Sequence, residues 1–197
     1  MFEQMTIEKY CEILASKAPA PGGGSALAIA GTIACSLIEM SANVTLDKMP
    51  QTDENREYLQ SELATFVRAR KRLLKTSDDD AEAYGKIVEA RKLPKNTEDE
   101  IKLRTAALQK AFHKATLVPL ELMELCVNLI QRASVRVLPR VSKWVKSDCE
   151  IGISLLKTVV SFSEKNVYGN TCFIHDEQLK RQLEKQAQLT LDEIAKY

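Results

Sequence analysis

The sequence predicts an all-α fold: a bundle of long antiparallel helices around one central, small-residue helix. Three observations carry this. Among 197 residues there are only 7 Gly and 6 Pro, and aromatics make up 6%, so both helix breakers and strand-favouring side chains are scarce. No segment alternates apolar and polar residues for long enough to be a strand. Residues 26–45 are apolar nearly all round and rich in small side chains (Ala26, Ala28, Ala30, Gly31, Ala34, Ser36, Ser41, Ala42), which suits a helix at the centre of a molecule.

The elements follow in order. Residues 6–16 form a short helix that Thr6 can cap, with Ile7, Tyr10, Cys11 and Leu14 at helical spacing on one side. Two prolines keep 17–21 extended. Gly22-Gly23-Gly24-Ser25 opens the central helix, 26–45, and a loop with Pro50 follows at 46–52. Residues 53–76 are amphipathic, with Leu59, Leu63, Phe66, Val67, Leu73 and Leu74 as the apolar side; Ser77 or Asp78 caps a separate helix ending near 90. After a turn at 93–96, Thr97-Glu98-Asp99-Glu100 is a capping-box signature for a long helix to about 132, with a kink expected near Pro119. Pro139 leaves 133–146 ambiguous. Ser147-Asp148 looks like the cap of a helix to about 167, 168–173 a loop, and 174–197 a charged terminal helix. With no repeat and no low-complexity linker, one domain is expected over 1–197.

Composition narrows the function. The 28 basic and 27 acidic residues balance, which argues against nucleic acid as a partner. The N-terminus has no signal-peptide pattern, and the apolar run 26–40 is interrupted by Gly31, Thr32, Ser36 and Glu39, so no membrane span and a cytoplasmic location are expected. Five cysteines without a close pair read as reduced thiols, and two isolated histidines give no metal site.

Four features carry potential chemistry. Glycines 22–24 ahead of a helix allow close backbone approach, and the free N–H groups there favour an anion; a plain helix-start turn explains them as well. Asp78-Asp79-Asp80 offers a general acid/base or a counter-charge for a cation, or only helix-dipole stabilisation; because neighbours on a helix point about 100° apart, the three cannot share one task. Asn43, Asp148, Asn166 and Asn170 form a polar set whose amides require partners in apolar helices. Arg132, Arg136, Arg140, Lys143 and Lys146 recur at helical spacing, as a solvated face or a site for a polyanion.

These residues resemble a known family. Pro19-Ala20-Pro21-Gly22-Gly23-Gly24-Ser25 with Ser41-Ala42-Asn43-Val44-Thr45, then Asp80-Ala81-Glu82-Ala83-Tyr84, Leu93-Pro94-Lys95, Thr116-Leu117-Val118-Pro119-Leu120, Ser147-Asp148 and Asn166-Val167-Tyr168-Gly169-Asn170 are similar, in order, to signatures of the formiminotetrahydrofolate cyclodeaminase/methenyltetrahydrofolate cyclohydrolase family. The resemblance implies a homodimer of long helices and a tetrahydrofolate derivative as substrate, with no tightly bound cofactor. It implies one of two reactions: closure of 5-formiminotetrahydrofolate to 5,10-methenyltetrahydrofolate with loss of ammonia, or hydration of the methenyl compound to 10-formyltetrahydrofolate.

In that reading Asp80 and Asp148 are catalytic, and Gly22, Gly23, Gly24, Ser25, Asn43, Asn166 and Asn170 bind substrate. The basic stretch meets the anionic glutamate tail. The chain length leaves no room for the transferase domain of fused relatives, which tilts the expectation toward the cyclohydrolase. Val141-Ser142 stands where a Gly-Asn pair is expected, and Tyr168-Gly169 where an aliphatic pair is usual. These departures motivate the alternative, a catalytically impaired folate-binding or structural dimer.

Overall fold

A computed structural model describes residues 2–197, and all regular structure in them is helical. The six α-helices are α1 (Ile7–Leu14), α2 (Gly23–Lys48), α3 (Asn55–Arg91), α4 (Glu98–Arg132), α5 (Lys146–Thr171) and α6 (Glu177–Glu193). Short 3₁₀ turns lie at Phe2–Gln4 and Ile194–Lys196. Cross-helix contacts make the long helices antiparallel in sequence: Ser25 meets Asp80 and Glu39 meets Arg70 between α2 and α3, Arg72 meets Glu121 between α3 and α4, and Asn170 meets Ala115 between α5 and α4.

Local signals placed several termini correctly. The Thr6 hydroxyl caps α1 by accepting from the Lys9 N–H at 3.2 Å. Thr97 and Glu100 form the reciprocal capping box of α4. Several boundaries differ from expectation. First, α3 is a single helix of 37 residues with no break at Ser77 or Asp78. Ser77 is fully buried and donates to the Leu74 carbonyl at 2.7 Å, and Thr76 donates to the Arg72 carbonyl at 2.9 Å. Hydroxyls able to cap a helix instead bond back to the preceding turn of one that packing keeps continuous.

Second, α5 begins at Lys146 after Val145, without a side-chain cap from Ser147 or Asp148, and runs to Thr171, so Tyr168-Gly169 is helical. Third, α6 starts after Asp176, whose carboxylate accepts from the Gln178 and Leu179 N–H groups. The ambiguous stretch before α5 begins with a π turn, Ala133–Val137, closed by the Leu138 N–H on the Ala133 carbonyl at 2.8 Å.

Pro119 lies inside α4 without ending it. A proline has no N–H for the carbonyl four residues back, here Ala115. That carbonyl accepts instead from the Asn170 side-chain amide at 3.0 Å. The helix therefore continues, and its missing bond becomes a tie between α4 and α5.

α2 is the centre of the bundle, packed between α3 and α5. It begins at Gly23 and ends at Lys48, so it is longer at both ends than expected, and at 26 residues it is long and apolar enough by length and composition alone to cross a membrane. Half of its most apolar stretch is buried inside the bundle, and its buried polar groups have partners there: the Ser41 hydroxyl donates to the Leu37 and Val145 carbonyls, and Glu39 accepts from Arg70 at 2.8 Å. A core helix passes the same test as a membrane span, because both must be apolar nearly all round.

Its small residues permit close approach. A methyl group added at Gly152 of α5 would lie 2.8 Å from the Ala34 carbonyl oxygen and 2.8 Å from Ile38 Cγ1. Gly152→Ala must therefore push α5 off α2, and a loss of ~1–3 kcal/mol is expected for such overpacking. Urea unfolding checks this; an unchanged midpoint would show that the two helices slide apart freely.

Candidate functional site

The site is built where α2 begins. With no side-chain cap at Gly22, the first N–H groups of α2 point out of the helix end. α3 passes alongside and sets Asp80 there: its Oδ2 accepts from the Ser25 N–H at 2.9 Å. A methyl group at Gly24 would lie 2.2 Å from Asp80 Oδ1, so position 24 must be glycine for this carboxylate to reach the helix end. The neighbouring carboxylates serve elsewhere. Asp78 accepts from the Phe2 N–H at 2.7 Å, and Asp79 pairs with Arg72 at 2.6 Å and with Lys75. The trio divides its work, as the helical angle requires.

Burial pushes the Asp80 carboxyl above the usual carboxylate range, and the Ser25 N–H opposes that rise. No cation lies within ion-pair distance of it among the described residues. Behind it, the fully buried Ser25 hydroxyl shares a hydrogen bond of 3.1 Å with Tyr10, whose own hydroxyl burial shifts upward. Ser25 thus contributes its backbone to Asp80, while its side chain faces α1.

Asp80 opens into a cavity of about 400 Å³, within the range of small-molecule sites. Gly22, Gly23 and Gly24 form one wall, Tyr84 and Ile87 continue α3 from Asp80, and Asn166, Gly169 and Asn170 come from α5. Asn166 lines the cavity, and its amide nitrogen is buried with no protein partner. Asn170 spends its own amide on Ala115. Among the described residues, no cluster of His, Cys, Asp or Glu is grouped to hold a metal ion.

Asn43 and Asp148 are elsewhere within one chain. Asn43 is exposed near the far end of α2, and Asp148 is half-buried in the first turn of α5. Asn43 lies 19 residues along α2 from Gly24, and Asp148 lies 17 along α5 from Lys165, the nearest cavity residues of each helix, so both are about 25 Å or more away. The basic stretch is also remote. Arg132 and Arg136 pair with buried Glu62 at 3.0 and 3.1 Å, and Arg140 lies over the Tyr58 ring at 4.4 Å. Val141-Ser142 ties the loop before α5 to α2 through the Ser142 N–H on the Thr45 hydroxyl, at 2.9 Å.

The sequence profile of the formiminotransferase-cyclodeaminase family matches residues 6–189. The chain belongs to this family. A methenyltetrahydrofolate cyclohydrolase from Methylorubrum extorquens is 33% identical over 171 residues, 87% of this chain and 81% of that one. A formimidoyltransferase-cyclodeaminase from Gallus gallus is 28% identical over 185 residues, 93% of this chain but 34% of that protein, so the chain spans about a third of its length. A solved formiminotetrahydrofolate cyclodeaminase from Thermotoga maritima superposes with a TM-score of 0.86 over 100% of this chain and 93% of that one; at 24% identity it establishes the shared fold.

Tyr84, although inside the segment 80–84, and Lys165 line the cavity without having been expected as site residues, as does Ile87. Tyr84 and Lys165 had a signal. Tyr84 is one turn after Asp80 on a helix, and Lys165 adjoins Asn166.

Asp80 makes a stability prediction whose sign is fixed. Its native pKa lies above its unfolded value, so the fold loses stability as pH rises from the unfolded value, near ~4, through the native one. Asp80→Asn is therefore expected to be at least as stable as the parent at neutral pH and to lose that advantage below about pH 4. Denaturant unfolding at the two pH values decides. A variant weaker at neutral pH would mean that the Ser25 contact outweighs the cost of burial.

Proposed function

We propose that this chain is a folate one-carbon enzyme that hydrolyses 5,10-methenyltetrahydrofolate to 10-formyltetrahydrofolate in the Asp80 cavity. The observation that carries the reading is a half-buried carboxylate with no cation paired to it, at the wall of a cavity of ligand size. The methenyl substrate is a delocalised cation, and a carboxylate in a low-dielectric site favours such a charge. The similar cyclohydrolase over most of its length supports the choice of reaction.

In the proposed mechanism water adds to the carbon between N5 and N10. The C–O bond forms, one water proton passes to Asp80, and the cation becomes a neutral carbinolamine. The C–N5 bond then breaks as N5 gains a proton from Asp80 and the hydroxyl proton leaves to solvent. The balance is methenyl cation plus water giving the formyl product plus one proton. The steps use water and proton transfer alone, so no tightly bound cofactor enters them. Asn166 contacts the ligand from the α5 wall, and the Gly22–Gly24 backbone lets it approach the end of α2. Cyclisation of 5-formiminotetrahydrofolate, the reaction named for the Thermotoga and chicken relatives, ends on the same cation and fits the same carboxylate.

The proposed assembly is a homodimer. Ile33 on α2 and Ile151 and Phe162 on α5 are each about half exposed, 51%, 51% and 49%, and these are the apolar side chains that a second copy would cover. A two-fold axis near these side chains would lay the Asn43 and Asp148 end of one copy over the cavity end of the other. In this reading both residues serve the partner's site. Five cysteines that form no disulfide suit a reducing compartment, the cytoplasm.

Loss of the near-ultraviolet band of 5,10-methenyltetrahydrofolate, compared with the uncatalysed rate, tests the reaction. Acceleration is expected, reduced ~10²–10⁴-fold in Asp80→Asn and comparably in Gly24→Ala, which displaces the carboxylate. No acceleration, with ammonia released from the formimino substrate, would transfer the assignment to the cyclodeaminase. The assembly has its own test. Mixing inactive Asp80→Asn and Asp148→Asn chains should restore activity, because each hybrid dimer holds one intact site; an inactive mixture of well-folded dimers would refute the shared site.

A further inference from the structure

The face of α3 that carries Asp80, Tyr84 and Ile87 continues one turn further to Arg91, the last residue of the helix. Its guanidinium lies 5.9 Å from the centre of the Phe112 ring. Phe112 is one turn before Ala115 of the cavity wall on α4, and it stacks on Phe173 at 4.6 Å. Phe173 lies just past the end of α5, three residues after Asn170, and is about half exposed, so the aromatic pair sits about one turn beyond the lining residues Ala115 and Asn170. Arg104 supports the position from α4 by donating to the Arg91 carbonyl at 3.3 and 3.4 Å.

Among the described residues, the Arg91 charge is not committed to a carboxylate. Arg70, Arg72, Arg132 and Arg136 each pair with a carboxylate. Arg91 and Arg104 have no carboxylate partner among the described residues. A cation in the last turn is favoured by the helix dipole, which explains why the charge is tolerated. The dipole does not explain why the guanidinium lies over the Phe112 ring, one helical turn beyond the cavity residues Ile87 and Ala115.

We infer that Arg91 is a specificity residue that receives the glutamate carboxylate of the folate tail. The inference rests on the folate reading above. The lengths agree. Asp80 and Arg91 are 11 positions apart, about 16 Å along the helix, less the several ångströms an arginine side chain reaches back. From the reacting carbon, an aminobenzoyl ring, an amide and one glutamate extend about as far as four extended residues, ~13 Å. With the pterin end at Asp80, the aminobenzoyl ring passes the Phe112–Phe173 step and the carboxylate arrives at Arg91, whose planar fork suits it.

The test compares 5,10-methenyltetrahydrofolate with 5,10-methenyltetrahydropteroate, which lacks the glutamate. Turnover is followed for both compounds. Calorimetric affinity is measured for tetrahydrofolate and tetrahydropteroate, so that binding is read even where turnover is not. In the parent protein the glutamate-bearing ligand is favoured. Arg91→Ala is expected to lower kcat/KM and affinity for that ligand ~10–100-fold, the worth of one charge-assisted contact, while leaving the pteroate values within about twofold. Arg91→Lys should recover part of the loss. A merely structural arginine would reduce both ligands together, and that result, or discrimination that survives Arg91→Ala, overturns the assignment. Glutamate-dependent binding without turnover would sink the catalytic reading and leave Arg91 in place; a parent protein that binds neither ligand sinks both.

Discussion

The contact between Asp80 and the Ser25 N–H sets the terms for the rest of the molecule. A carboxylate taken out of water needs compensation, and here it comes from the end of a helix, where backbone N–H groups and the helix dipole converge. That compensation works only at contact distance. It therefore requires a glycine at 24, a long α3 to bring the carboxylate in from the side, and an α2 held immobile at the centre of the bundle. The apolar, small-residue character of α2 serves this last need. Its neighbours lie close enough that one methyl at Gly152 collides with backbone.

Much of the fold was legible because its signals are local or periodic. The capping box at Thr97, the cap at Thr6, the glycine run and the apolar circumference of α2 each specify structure through a few adjacent residues. The errors arose where tertiary packing overrides a local preference. Ser77 and Asp78 form a good cap in isolation, but Ser77 is fully buried and bonds back within a helix that continues. Ser147 and Asp148 failed as a cap because α5 had already begun. Of the candidate site, Gly22, Gly23, Gly24, Asp80, Asn166 and Asn170 converge on one cavity, and Ser25 contributes its backbone. The separation of Asn43 and Asp148 from them was not legible, since a motif gives order along the chain but not which end of a helix pair it occupies. The same limit hid Ile87 and Lys165, which enter the cavity through helical phase.

Side chains that look spare in the sequence are committed in three dimensions. Arg132 and Arg136 offer a basic face on paper, yet both are drawn to Glu62, which is almost wholly buried. Removing such a carboxylate would leave two guanidinium groups beside an apolar wall; the pairs serve the fold before any ligand. Pro119 acts in the opposite sense. By withholding one N–H it frees the Ala115 carbonyl, and Asn170 is held to the cavity wall by taking that bond. A residue read as a helix defect thus positions a residue read as a ligand contact.

The three consecutive aspartates of α3 make the helix an indexed component. Asp78 holds the N-terminal segment, Asp79 the flanking cations and Asp80 the end of α2, each by virtue of its angle. An exchange of side chain at most points along α3 perturbs one neighbour. A single-residue insertion or deletion ahead of the trio would rotate all three assignments at once by about 100° and swing the carboxylate away from the cavity. Change in this stretch is therefore open to replacement but closed to slippage, and variation in the length of the chain must be accommodated in the loops on either side.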